Sequence, residues 1–308
     1  MSKKILLATE KPFTKQTVEE IKSIIEKSGF IFNLLENYKT SQELKDALKD
    51  INGLIIRSDK INQEIIDSSQ NLKIIVRAGA GVDNIDLSEA TNKKIVVMNT
   101  PGQNANAVAE LVFGLLIYAL RNFYSGKIGT ELKGKKLGLL AFGQVGRNVA
   151  RIAKGFEMEI YSYDAYVPKN ILEENGIKAV NNAEELFEKC DIISLHIPAT
   201  DETIKSINYE LCKKMKKNAV LINTARKEVI NEDELIKLME ERNDLIYITD
   251  LMPDKHDIFL DKFKGRYFST PKKMGAQTEE ANINAGKAAA NQIVDFFKTG
   301  NTKFQVNK

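Results

Sequence analysis

An excess of charge of one sign is nearly absent: 45 Lys and Arg stand against 42 Asp and Glu, a formal surplus of +3 over 308 residues. So small an imbalance gives no argument for nucleic acid or a membrane surface as a partner. Cysteine is scarce as well. Cys190 and Cys212 are the two present, far apart in sequence and with no histidine paired to them. That excludes a zinc cluster and a disulfide framework, and it suits a reducing cytoplasm. Long apolar runs are missing too: the longest, Leu111 to Leu120, is far short of the roughly 20 residues that cross a bilayer. The apolar stretch within Met1–Glu10 is too short for a signal peptide and reads as the first strand of a domain. No repeat or low-complexity tract interrupts the chain.

What is present is globular, with 43% hydrophobic and 28% charged residues and a length suited to two domains. Short apolar strands alternate with amphipathic helices from the start: Ile5 to Ala8, then Val18 to Ile25; Phe30 to Leu35, then Leu44 to Leu48; Leu54 to Ile56, then Ile61 to Ile66; Ile74 to Val76; Ile95 to Met98. A long apolar helix, Ala105 to Leu120, follows. A second alternating series opens at Leu137 and runs through Ile192 to Leu195, Ala219 to Ile222 and Ile246 to Thr249. The pattern predicts an α/β protein of two doubly wound parallel-sheet lobes, one flavodoxin-like and one Rossmann, with a cleft between them. A last Ala-rich helix, Thr278 to Phe297, is expected to return to the first lobe. The expected domains are therefore 1–99 with 278–308, and 100–277.

The stretch from Lys136 to Asp164 carries the sharpest chemical signal. Lys136 to Ala141 is an apolar strand, Phe142-Gly143-Gln144-Val145-Gly146-Arg147 is a tight turn opening a helix, and Glu159 to Tyr163 is a second strand ending at Asp164. That is a dinucleotide-binding unit. A side chain at Gly143 would keep a pyrophosphate from the backbone, while the amides of Gln144, Val145 and Gly146 offer donors at a positive helix end. Asp164 stands where a carboxylate accepts both ribose hydroxyls and repels a 2′-phosphate, so NAD is expected rather than NADP. The first glycine of the usual G-x-G-x-x-G is Ala141, which requires a negative φ there.

These residues, with Val76-Arg77-Ala78-Gly79-Ala80-Gly81-Val82-Asp83-Asn84-Ile85-Asp86, Asn99-Thr100-Pro101, Val108-Ala109-Glu110-Leu111, Ser194-Leu195-His196-Ile197-Pro198 and Leu221-Ile222-Asn223-Thr224-Ala225-Arg226, resemble the D-2-hydroxyacid dehydrogenase family across essentially the full chain. Within that family the similarity is to the D-3-phosphoglycerate dehydrogenases, in a short form without the C-terminal regulatory extension. The resemblance implies hydride transfer between C2 of a 2-hydroxy acid and NAD. Arg226 would hold the carboxylate and the C2 oxygen. Thr224, Ala225, Ile197, Pro198 and Gly275 would line the cofactor, Asp250 would meet the nicotinamide amide, and His196 would lie near the cofactor without being the base. The resemblance also implies a homodimer, for which the helix Leu111 to Leu120 is suited.

The chain departs from the family at the acid–base pair. Where a histidine should follow Thr-Pro it reads Thr270-Pro271-Lys272-Lys273-Met274-Gly275, and the partner glutamate gives way to Lys255, with Asp254 beside it. Counting from Pro271 selects Lys272 and counting back from Gly275 selects Lys273. The two losses are coupled physically: a lysine, starting near 10.4, serves as a base near neutrality only if burial and neighbouring cations lower it, and a carboxylate alongside would do the opposite. Lys272 is therefore the expected proton acceptor. Lys273, His256 and a catalytically dead site are its rivals.

Arg57 and Arg77 follow apolar strands of the first lobe and match the arginines that meet phosphate and carboxylate in phosphoglycerate dehydrogenases. The backbone of Gly79, Ala80 and Gly81 could hold a carboxylate. A phosphorylated small 2-hydroxy acid is thus the expected substrate, with no nucleic acid or membrane partner. Another 2-hydroxy acid such as glyoxylate, hydroxypyruvate or lactate is one alternative, and a non-catalytic NADH-sensing binding protein is the other.

Overall fold

The computed structural model describes residues 2–307, and their contacts divide into two units. One runs to Asn104 and resumes at Thr278; the other spans Ala105–Gln277.

In the first unit β1 (Lys4–Thr9), α1 (Lys15–Lys27), β2 (Ile31–Glu36), α2 (Ser41–Leu48), β3 (Gly53–Ile56), α3 (Gln63–Asp67), β4 (Ile74–Arg77), α4 (Leu87–Asn92) and β5 (Val96–Asn99) alternate. The sheet is five-stranded and parallel in the order β2-β1-β3-β4-β5, the flavodoxin-like winding. Successive residues feed opposite faces. Leu6, Leu54, Ile56 and Ile75 pack with Leu44 and Leu48 on one side, while Ile5, Leu7, Ile55 and Val76 pack with Ile21 and Ile25 on the other. With both faces covered, the central strands read as unbroken apolar runs.

The second unit begins with α5 (Ala105–Leu120) and continues through β6 (Lys136–Leu140), α6 (Gln144–Gly155), β7 (Glu159–Tyr163), α7 (Lys169–Glu174), β8 (Lys178–Ala179), α8 (Ala183–Lys189), β9 (Ile192–Leu195), α9 (Tyr209–Lys213), β10 (Val220–Asn223), α10 (Glu232–Glu241), β11 (Ile246–Thr249), α11 (His256–Lys262) and β12 (Tyr267–Ser269). Its seven parallel strands lie in the order β12-β11-β10-β9-β6-β7-β8, a Rossmann winding with one strand added beyond β11. The apolarity of α5 needs no partner chain to explain it, because Val112, Phe113, Leu115, Leu116 and Ala119 are buried in the core of their own unit. Cys190 and Cys212 are free and buried here, and burial pushes both thiols up to about 12.

The closing helix α12 (Glu279–Thr299), capped by the Thr278 hydroxyl, belongs to the first unit, where Ala285, Ala289 and Ile293 join Ile21 and Ile25 in the core. Among the described residues no helix is long and apolar enough to cross a membrane, and no group of His, Cys, Asp or Glu could hold a metal ion.

Candidate active site

In the second unit the turn after β6 is built around two glycines with different duties. A Cβ at Gly143 would meet nothing within 4 Å, so its exposed face stays open to a ligand. At Gly146 a Cβ would lie 2.5 Å from the Ala141 carbonyl oxygen and near the His196 ring, so only glycine lets α6 seat on β6. Gly143 caps α6 without a side-chain hydrogen bond, which leaves the helix start to a ligand's oxygens. An open glycine face at an uncapped helix start fits a dinucleotide.

Ala141 does not keep the negative φ that its side chain favours. Its φ is 84°, a region that costs a non-glycine residue about 1–2 kcal/mol. Bonds on either side hold it there: Ala141 N–H donates to Tyr163 O at 2.9 Å and Phe142 N–H to Asp164 Oδ2 at 2.7 Å. The carboxylate of Asp164 thus ties the turn to the end of β7, and its Oδ1 accepts from the amides of Tyr166 and Val167.

His196 follows β9 with its Nε2 3.0 Å from the Ser194 hydroxyl, and burial pushes the ring down to about 3, so it is neutral near pH 7. Ile197 is half-buried; Pro198 is exposed, with its carbonyl bound by the Thr203 hydroxyl. Beyond β10, the Asn223 side chain accepts from Ala225 N–H at 3.0 Å and donates to Arg226 O at 2.8 Å. That clamp, which the sequence did not announce, fixes the backbone that presents half-buried Arg226. Thr224 Oγ1 is buried without a hydrogen-bond partner, a polar atom still to be satisfied.

Asp250, 1% exposed, does more than a cofactor contact requires. Its Oδ1 accepts from the Thr270 hydroxyl at 2.8 Å and Met274 N–H at 2.7 Å, and its Oδ2 from Gly275 N–H at 2.7 Å. The loop carrying Lys272 and Lys273 is therefore hung on Asp250, with Thr270 Oγ1 also 2.8 Å from Lys272 O. Both lysines are exposed, so the fold by itself does not supply the burial expected around the base.

The other acid–base candidates are engaged elsewhere. Asp254 is exposed and paired with Lys227, while Glu232 accepts from the amides of Asp254 and Lys255 and thereby holds that turn against α10. His256 Nδ1 lies 2.8 Å from the Tyr267 hydroxyl, and the two rings meet edge to face.

In the first unit Arg57 and Arg77 stand at the carboxyl ends of the adjacent strands β3 and β4. Arg77 Nε donates to Arg57 O at 2.8 Å, and the Arg57 guanidinium lies over the Phe13 ring. Burial pulls Arg57 downward and the nearby Asp59 charge opposes the shift. The glycine turn departs from expectation in part: Gly79 N–H is taken by Arg77 O at 2.9 Å, so it is not available to a carboxylate. A Cβ on Gly79 would lie 2.7 Å from Arg77 Cζ, which shows how closely the guanidinium folds over that turn. Asp59, 1% exposed, went unremarked in the sequence and proves to be the hub of this edge.

Residues 119–262 match the D-isomer specific 2-hydroxyacid dehydrogenase, NAD binding domain. The glyoxylate reductase of Thermococcus litoralis is 33% identical over 276 residues, covering 83% of each chain. The chain belongs to the D-isomer specific 2-hydroxyacid dehydrogenase family. Within it, the D-3-phosphoglycerate dehydrogenase of Methanocaldococcus jannaschii is 38% identical over 273 residues, 82% of this chain and 51% of that protein. The chain thus spans about half the length of such relatives. A crystal structure of NAD+-bound 3-phosphoglycerate dehydrogenase from Entamoeba histolytica is similar at 51% identity with a TM-score of 0.91, covering 100% of this chain and 99% of that one. As a member of the family the chain has an NAD-binding domain, and the open turn at Gly143 lies within the matched residues.

Proposed function

We propose that the protein oxidises 3-phospho-D-glycerate to 3-phosphohydroxypyruvate with NAD, the entry to serine biosynthesis, and reduces the keto acid in the reverse direction. The observation that carries this reading is the Arg57–Arg77 pair, joined at neighbouring strand ends by a 2.8 Å bond, because two guanidinium groups suit a substrate with an anionic phosphate. Similarity over the whole chain to a phosphoglycerate dehydrogenase supports it.

Oxidation breaks the C2–H bond with both electrons leaving as hydride, and the C2 hydroxyl gives up a proton as the carbonyl forms. Hydride acceptance is what the dinucleotide supplies when bound. Arg226 pairs with the planar carboxylate and stabilises charge growing on the C2 oxygen. The proton goes to the Nζ of Lys272, whose loop is fixed by the three hydrogen bonds to Asp250. Because the chain leaves this lysine exposed, its desolvation has to come with the bound ligands. The neutral imidazole of His196 packs beside the turn and takes no part in proton transfer.

NADH consumption with phosphohydroxypyruvate, glyoxylate and pyruvate tests the reading. Preference for the phosphorylated acid is expected. Preference for either of the others makes the enzyme a different 2-hydroxyacid dehydrogenase. Silence on all three with retained NADH binding makes it a cofactor sensor.

A further inference from the structure

Four of the five strand connections at the carboxyl edge of the first sheet converge on Asp59. Its Oδ1 accepts from Glu10 N–H, just after β1, at 2.7 Å and from the Tyr38 hydroxyl, just after β2, at 2.8 Å. Its Oδ2 accepts from Arg57 N–H, just after β3, at 3.0 Å. Its own carbonyl accepts from Asn84, in the connection after β4, at 2.6 Å. Burial and the Asp59 charge push Tyr38 upward, so its hydroxyl stays protonated and donates. From Asp59 the order passes outward: the carboxylate holds the Arg57 backbone, and the Arg57 carbonyl in turn holds Nε of Arg77.

We infer that Asp59 is a positioning residue for the phosphate end of the substrate, acting through Arg57 and Arg77. The inference rests on the phosphoglycerate reading above. Two guanidinium groups at neighbouring strand ends repel one another, and a buried carboxylate beside them offsets part of that repulsion. A neutral side chain at Asp59 would keep some of the hydrogen bonds and lose the charge. Asparagine is the informative replacement. With its oxygen toward Glu10 and Tyr38, its NH2 group faces the Arg57 amide donor to donor, which disturbs Arg57 first.

The test is steady-state kinetics of the NADH-driven reduction by wild type, Asp59→Asn and Tyr38→Phe. Asp59→Asn is expected to raise KM for phosphohydroxypyruvate by about tenfold or more, with kcat changed by no more than about threefold and little effect on the non-phosphorylated acid. Tyr38→Phe removes a donor to Asp59 without touching Arg57 or discharging the carboxylate, and should raise that KM by no more than about threefold. An equal loss on both substrates in Asp59→Asn, or no change in either, overturns the inference while the substrate preference of the wild type stands. A wild type without preference for the phosphorylated acid defeats the substrate reading, and the inference falls with it. Should Asp59→Asn fail to fold, Asn84→Ala loosens Asp59 without discharging it. It is then expected to raise the same KM by about threefold, and an unchanged KM refutes the inference.

Discussion

Asp59 and Asp250 invite comparison because each is 1% exposed, lies just past the carboxyl end of a parallel strand and accepts three hydrogen bonds through its side chain. They differ in where the donors come from. Asp59 draws on three separate connections, at Glu10, Tyr38 and Arg57, and so locks a whole sheet edge. Asp250 draws all three donors from one loop, at Thr270, Met274 and Gly275. The same buried carboxylate thus serves a distributed purpose in one unit and a local one in the other. Disturbing Asp59 should spread to binding, whereas disturbing Asp250 should act on the loop that bears the lysines.

The largest effect expected on this contrast comes from the loop itself. Lys272→Met should lower kcat by about 10²–10⁴-fold, the usual weight of a general acid–base group, while Lys273→Met keeps most activity. Turnover measured across pH decides it, and two fully active variants would remove lysine from the mechanism. Asp250→Asn comes next. It replaces one acceptor oxygen by a donor facing backbone N–H groups, so kcat should drop by about 10–100-fold with a smaller change in substrate KM, the reverse of the pattern for Asp59→Asn. A KM effect as large as the kcat effect would erase the contrast between the two aspartates.

The smallest effect concerns stability in acid. Burial holds the His196 imidazole at about 3 against its ordinary value of 6.5, so the folded protein keeps it neutral while the unfolded chain takes up a proton below 6.5. The unfolded state then binds more protons, and stability falls as pH drops from 6.5 toward 3. At pH 5 the loss is about 2 kcal/mol at most. Thermal melts of wild type and His196→Gln at pH 7.5 and pH 5 should show a steeper acid decline in the wild type. Parallel declines would place the acid sensitivity elsewhere.

Much of the architecture was legible because strands buried on both faces advertise themselves as apolar runs. Glu159–Tyr163, Ile192–Leu195 and Ile246–Thr249 are the strands their composition suggested, and the helix Ala105–Leu120 ends where its apolar run does. The strand, glycine turn and helix from Lys136 to Gly155 were legible because strand, glycines, helix and acid follow in fixed order. Ala141 was misjudged because φ is set by two hydrogen bonds, to Tyr163 and Asp164, that no local rule reveals. Asp59 was missed because its neighbours Ser58 and Lys60 are exposed and its own burial depends on donors from Glu10, Tyr38 and Asn84, distant in sequence. The burial expected around Lys272 did not follow from residue type, because the loop is fixed by its backbone to Asp250 and both of its lysines are exposed.

Both cysteines sit in the core of the Ala105–Gln277 unit, where burial holds the thiols near 12. An alkylating reagent at neutral pH has no thiolate to attack there until that unit opens. The chain therefore carries its own clock for the breathing of its dinucleotide-binding half: the rate of carbamidomethylation reports opening of one unit and is silent about the other.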